Sequence, residues 1–349
     1  MDYFKRVERL TPTRFWINNV TRSQASRAVE AGARCCTQNP SYLSKVMYSA
    51  QDGPYILEMM DELIGTYADD NAVVGELQRR VIAQICERFM PVYAATGGRE
   101  GLVSIQADPF HEDADTILEN AEKCIKLAEN FIIKIPATCA GLKAMAELVK
   151  RRTPVLATEV MSIDQAISVY NMYQDASAGI NNPAPFWFAH INGIFDEHLT
   201  ETVKKENICI EPDVLRQASF ILARKMIAYK KAGGFENCHY VAGGARGVHH
   251  FTEMVGVDGA VTINWSGTAD RLLEEDPPVV DIFSAPASPA FIDELCARIP
   301  DFRRAYIPGS LKPEEYESFG PVVRFRTQFE EGWKAALKAV AERRAVLKG

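Results

Sequence analysis

The sequence predicts a parallel (β/α)8 barrel with an inserted helical segment and a C-terminal helix near the barrel mouth. Three observations predict it. Short apolar runs of strand length alternate with longer amphipathic stretches, the pattern of βα units laid on a parallel sheet. Eight such runs can be counted, the number that closes a barrel. No G-x-G-x-x-G follows the first run, which argues against an open dinucleotide-binding sheet.

Taken in order, "RFWIN" (Arg14–Asn18) reads as the first strand, and "SQASRAVEAGA" as a helix ending near Gly32. "RCCTQNP" (Arg34–Pro40) is a short strand running into a turn. Residues 54–93 are mostly helical in pattern and form the largest insertion between strands. "LVSIQAD" (Leu102–Asp108) is the third strand, and Asp113–Asn130 is an amphipathic helix. "FIIKIP" (Phe131–Pro136) and "PVLATEV" (Pro154–Val160) are the fourth and fifth strands, each followed by a helix. "APFWFAHI" (Ala184–Ile191) carries the sixth, with a helix over roughly 212–232 after it. "CHYVAGG" (Cys238–Gly244) and "GAVTINW" (Gly259–Trp265) complete the set. Residues 325–347 form an amphipathic helix able to lie over the mouth or at an oligomer contact. The whole chain, 1–349, is expected to be one domain.

Composition narrows the function classes. The chain is 47% hydrophobic and 24% charged with a formal charge of -7, so it can bury a full core, and its overall charge favours neither nucleic acid nor an anionic membrane as partner. The eight cysteines contain no C-x-x-C pair, and a reducing cytoplasm is the expected compartment. The N-terminal residues lack a signal-peptide apolar stretch and no run reaches transmembrane length. Six histidines occur without H-x-H on an early strand or H-E-x-x-H, so metal catalysis is not expected. "GVHH" places two adjacent histidines that would not face one another, and "NWSGT" (Asn264–Thr268) reads as a strand end with a helix cap, with part of an anion pocket as the alternative.

The chemistry centres on Lys134, one lysine inside an apolar strand. Strand alternation puts Ile132, Lys134 and Pro136 on one face, with Ile133 and Ile135 toward the helices. Lys134 then points into the barrel near the C-terminal end of its strand, the catalytic end of such folds. A desolvated lysine has a lowered pKa and a larger fraction of neutral amine, which can attack a ketone to form a Schiff base. The alternative is a lysine reaching from a strand end to solvent. By the same alternation Gln106 and Asp108, Thr158 with Leu156, and Asn18 with Trp16 face inward from three other strands. Gln106 and Thr158 are suited to hold a water that shuttles protons to and from an imine.

These stretches resemble the transaldolase family, which includes the small fructose-6-phosphate aldolases. The matching segments are "TQNPS" (Thr37–Ser41), "VSIQAD", "IKIPATCAGLKA" (Ile133–Ala144), "ATEVMSIDQA" (Ala157–Ala166), "APFW" and "GGARG" (Gly243–Gly247), in family order from residue 14 to about 275. The resemblance implies a barrel enzyme whose Schiff-base lysine, on the fourth strand, is Lys134. It implies a covalent adduct with a dihydroxyacetone unit and no nicotinamide, flavin or metal cofactor. It further implies that Thr158 helps hold the catalytic water, that Asn39 binds the donor's hydroxyls, that Phe186 is an aromatic substrate contact, and that Arg246 binds phosphate. The chain departs from the pattern at several positions. The family's first-strand aspartate is Asn18, its acid/base glutamate is Gln106 (as in the aldolase branch), and an asparagine on the fifth strand is Leu156. "SPFVGR" becomes "APFWFAH", with Ala184 for the serine and Ala189 or His190 near the lost arginine. The expected function is transfer of a three-carbon ketone unit from a ketose, preferably an anionic one, to an aldehyde. Release of that unit by a simple aldolase and a non-catalytic sugar-binding barrel are the alternatives. The expected partner is a small sugar, with self-association allowed.

Overall fold

A computed structural model describes residues 2–348 of the chain. Eight parallel strands close into a barrel in chain order, with the last bonded to the first. They are β1 (Thr13–Asn18), β2 (Cys35–Thr37), β3 (Val103–Ile105), β4 (Phe131–Pro136), β5 (Val155–Val160), β6 (Phe186–His190), β7 (Cys238–Ala242) and β8 (Gly259–Asn264). Helices surround the barrel, so the predicted (β/α)8 architecture is the observed one. Every residue of β4 and β5 is buried, as expected of strands held between a barrel interior and a helix layer.

The β4 segment shows how local sequence sets the site. Pro136 closes the strand and Thr138 begins the next helix by accepting a hydrogen bond from the Gly141 N–H at 3.0 Å. A Cβ on Gly141 would overlap the Pro136 carbonyl, so glycine allows helix Cys139–Lys150 to start directly against the strand that carries Lys134.

Between β2 and β3 the chain inserts helices Tyr42–Val46, Gly53–Thr66 and Asp70–Ala95. The C-terminal helix, Gly320–Lys348, packs on all three, on helix Asn192–Lys205 and on β5. Its buried residues Phe325, Phe329, Trp333, Ala336 and Val340 recur every three or four positions, one apolar stripe of a helix. Polar contacts pin the far half: Trp333 Nε1 donates to Asn71 Oδ1 at 2.8 Å and Arg344 Nε to Asp70 Oδ1 at 2.7 Å. The phenylalanines at its near end are thereby held over the barrel mouth.

Four details differ from the sequence reading. Strand β3 stops at Ile105 instead of continuing to Asp108. Gln78 Nε2 takes the Gln106 carbonyl at 3.2 Å, and Asp108 turns to accept from the Phe110 N–H at 2.9 Å. A helix at Asn192–Lys205 follows β6, and the one expected over 212–232 breaks at Gln217 into Pro212–Arg216 and Ala218–Gly233. Helices Pro289–Arg298 and Pro300–Tyr306 occupy a segment in which no element was expected. Among the described residues no helix is long and apolar enough to cross a membrane.

Candidate active site

Lys134 is 5% exposed and lies inside the barrel. Its Nζ donates to Asn39 Oδ1 at 2.5 Å. The orientation of that amide is set by its neighbours: Asn39 Nδ2 donates to Asn18 Oδ1 at 3.4 Å, which also accepts from Thr37 Oγ1 at 2.8 Å. Asn18 Nδ2 in turn donates to Asn264 Oδ1 at 2.8 Å, and Thr37 Oγ1 lies 2.8 Å from Thr262 Oγ1. Strands β1, β2 and β8 thus build a relay of neutral groups that ends with an acceptor on the lysine. A neutral Asn18 suits this relay because one amide can accept from two partners and donate to a third.

From the other side the C-terminal helix lays Phe329 and Phe325 over the ammonium, with ring centroids 5.0 and 5.6 Å from Nζ. Burial pushes the Lys134 pKa down to about 8, against the opposing pull of the Glu159 and Glu112 carboxylates. Lowering the pKa enlarges the neutral amine fraction that a nucleophile needs.

Gln106 follows β3 and is buried. Its Nε2 donates to Glu112 Oε1 at 3.1 Å and to Glu159 Oε1 at 3.2 Å, so one amide bridges two carboxyl groups. Three buried oxygens here have no protein partner: Gln106 Oε1, Thr158 Oγ1 and Glu159 Oε2. Buried polar atoms are rarely left unpaired, and this set could receive a water or a substrate hydroxyl. Among the described residues no group of His, Cys, Asp or Glu is arranged to hold a metal ion.

Glu159 owes its place to an unusual backbone. Its φ is +59°, which a non-glycine residue in a strand rarely adopts. The β5–β6 register shifts between Ala157 and Val160, marking a bulge. Gln165 holds the distortion: its Nε2 donates to the carbonyls of Glu159 and Ala137 at 3.0 and 3.1 Å, and its Oε1 accepts from the Met161 N–H at 2.9 Å. Replacing fully buried Gln165 by Leu leaves three backbone groups without that partner. A loss of about 2–4 kcal/mol is expected, read as a lower urea midpoint at unchanged m; an unmoved midpoint would show that the bulge needs no such support.

The structure brings Lys134, Asn39, Asn18, Gln106 and Thr158 to the inner end of the barrel, but not the other expected contacts. Trp187 takes the inward position on β6, its ring 4.6 Å from that of Trp16. Its neighbour Phe186 therefore faces outward and stacks on Tyr173 of helix Ile163–Ser177 at 4.5 Å. His190 is likewise on the outer side, fully buried, with Nδ1 2.9 Å from the Val160 carbonyl; burial lowers its pKa. Both are corrected to packing positions by the two-residue alternation of β6. Asp108, also expected inside, bonds His111 at 2.7 Å and lines a groove of about 670 Å³ beside the barrel with Asn71 and Trp333. Arg246 lies at the rim, partly exposed, with Nη2 2.8 Å from Glu197 Oε2 and Nη1 donating to the Gly244 carbonyl at 3.2 Å. Arg324 of the C-terminal helix shares Glu197 at 2.7 Å. Sequence reasoning missed Asn264, Glu112 and Glu159; a charged residue in a wholly buried strand was the available signal for the last.

The family model described as Transaldolase/Fructose-6-phosphate aldolase matches residues 15–276. A transaldolase of Mycobacterium ulcerans is 28% identical over 187 residues, covering 50% of this chain and 49% of that protein. Transaldolase 1 of Streptomyces avermitilis is 31% identical over 180 residues, covering 47% and 46% respectively. A Neisseria meningitidis transaldolase is 25% identical over 210 residues, covering 54% and 58%. The chain thus spans about half the length of the curated relatives it matches.

Proposed function

The chain belongs to the transaldolase/fructose-6-phosphate aldolase family, and from that premise we propose that it is an enzyme whose Lys134 forms a Schiff base with a ketose and passes the three-carbon ketone unit to an aldehyde. The observation that carries this reading is the buried Lys134 amine, its pKa drawn down and its Nζ fixed by Asn39. The neutral amine attacks the ketone carbon, and loss of water leaves a protonated imine. That imine accepts the electron pair of the breaking C–C bond, giving an enamine on Lys134 and a free aldehyde. Attack of the enamine on a second aldehyde reverses the step. In this reading Asn39 and Asn18 bind hydroxyls of the donor, and Gln106 with Thr158 holds the water that moves protons.

Release of the unit as dihydroxyacetone is the second reading. Gln106, where transaldolases of the family carry a glutamate, favours it by resemblance to the aldolase branch. Borohydride trapping across a ketose panel, followed by peptide mapping, tests both. A reduced three-carbon unit on the Lys134 peptide is expected; labelling confined to other lysines would overturn the assignment. Product analysis with and without an acceptor aldehyde separates transfer from release.

The substrate of this reading carries a terminal phosphate or a similar compact anion. Arg246 supports it, standing at a glycine-rich strand end where guanidinium donors suit such a group. The anion would take the place of Glu197 on Arg246, while Glu197 keeps Arg324. Arg246→Ala is expected to cost about 2–3 kcal/mol in kcat/KM with a phosphorylated substrate, roughly 30- to 150-fold, and little with its unphosphorylated match. Equal losses on the two substrates would mean that Arg246 supports the rim.

A further inference from the structure

Gln106 occupies the position at which the resemblance places an acid/base glutamate, and an amide has no useful titration. The Schiff-base cycle still needs a proton donor and a proton acceptor. The bridging contacts of Gln106 show where these groups have gone: Glu112 lies just before helix Ala114–Ile125, and Glu159 is turned inward by the β5 bulge. We infer that Glu112 and Glu159 share one proton across Gln106 and that Glu159, through its free Oε2, is the carboxyl group that exchanges protons with the substrate. The inference rests on the Schiff-base reading above and deepens it.

The geometry supports this division of roles. Glu159 is 1% exposed and its Oε2 has no protein partner, so that oxygen can face a substrate hydroxyl or a water held by Thr158. Its φ of +59° is a strained backbone state for a non-glycine residue, and strain of this kind persists where the surroundings enforce it. Here the Gln165 side chain does so. Glu112 contacts the same amide from the loop side and acts as a positioning residue that stores the proton.

Charged groups from every packed element act on the pair. Lys134 comes from β4, Arg326 from the C-terminal helix, and Glu317 from the short helix Pro313–Ser318. Burial raises Glu159 to about 6, opposed by its hydrogen bond from Gln106 and by the charge of Lys134. Burial and then the charge of Glu159 raise Glu112 to about 9. Two carboxyl groups so close cannot both ionise easily, and they titrate as a unit that holds one proton between those limits.

The proton balance closes without an outside reagent. Nζ of Lys134 bonds to the ketone carbon to give a carbinolamine. The pair supplies a proton to the carbinolamine hydroxyl, which leaves as water and creates the protonated imine. The carboxylate so formed then takes the proton of the hydroxyl on the carbon beyond the scissile bond. As that C–C bond breaks, its electron pair moves to the imine and neutralises the nitrogen, and the leaving fragment becomes an aldehyde. The pair has recovered its proton and serves the reverse sequence with the acceptor.

The test uses the full chain with a ketose that traps on Lys134. Glu159→Gln is expected to form the borohydride adduct more slowly but to the wild-type extent on long incubation, while turnover falls about 10²- to 10⁴-fold, the range for a positioned acid/base group. Glu112→Gln should lower turnover less than Glu159→Gln does and should lose the alkaline limb that comes from release of the shared proton. In the wild type, infrared spectroscopy at neutral pH should show a protonated-carboxyl carbonyl band that Glu112→Gln removes, a readout that does not depend on folding of the Glu159 variant. Unchanged turnover and pH profile in Glu159→Gln would overturn the inference. So would adduct formation at the wild-type rate in that variant, or absence of the infrared band. Failure of the wild type to trap on Lys134 would instead overturn the Schiff-base reading.

Discussion

Lys134→Met should lose turnover by on the order of 10⁴- to 10⁶-fold, as when an activated nucleophile is removed, and should also be more stable than the wild type at pH 7. The two effects have one cause. Burial disfavours the ammonium here and pushes the Lys134 pKa down to about 8. Relative to an ordinary lysine near 10.4, that displacement corresponds to about 3 kcal/mol at neutral pH. The sign follows from proton binding. Between about pH 8 and pH 10.4 the unfolded chain binds the proton and the folded chain does not, so the destabilisation is full below about pH 8 and is relieved as pH rises toward 10.4. Methionine fills a similar volume and carries no charge. Part of the gain is offset because Glu159 loses the cation that opposes its upward shift. A net stabilisation of about 1–3 kcal/mol is expected, seen as a higher urea midpoint at pH 7 that converges on the wild type toward pH 10. A less stable Lys134→Met would mean that the Asn39 contact and the carboxylates outweigh the burial of the charge.

How far the site could be read in advance depended on whether strand alternation was intact. Lys134 lies in β4, which has a regular register with both neighbours. One lysine in "FIIKIP" was therefore enough to set its direction. Asn18, at the end of regular β1, was accessible in the same way. Glu159 was not: alternation from inward Thr158 sends the next residue outward, and only the bulge and positive φ bring its carboxyl to Gln106. Glu112 was hidden because a loop has no period. On β6 the error ran the other way. Family resemblance drew attention to Phe186 and His190, whereas alternation from bulky Trp187 would have put both toward the helices. The helix at Asn192–Lys205 was missed behind an Asn-Gly pair, which reads locally as a turn. Packing of that helix on the C-terminal helix is a long-range fact and is not written in either segment alone.

The C-terminal helix gives the second large effect, because one residue of it holds both packing and the state of the lysine. Phe329 is 1% exposed, and its ring centre lies 5.0 Å from Lys134 Nζ. Truncation to Ala should cost about 3–5 kcal/mol in stability, the range for emptying a buried aromatic site. The effect on the lysine has two opposing parts. The ring face attracts the ammonium by about 0.5–2 kcal/mol, which raises the pKa; the ring also excludes water, which lowers it. Burial is the leading cause that pushes this pKa down, so exclusion of water is the larger part. Phe329→Ala should therefore let water in and raise the Lys134 pKa, moving the rising limb of the rate profile to higher pH. Phe329→Leu removes the π face but keeps an apolar cover, so its limb should stay in place or move slightly lower. Measuring the two variants side by side, with rates and adduct formation followed between pH 6 and pH 10, separates the terms. A downward shift in Phe329→Ala would show that the cation–π contact dominates and that the helix holds Lys134 in its charged form. An upward shift there, with none in Phe329→Leu, would show that the helix activates the lysine by keeping water from it.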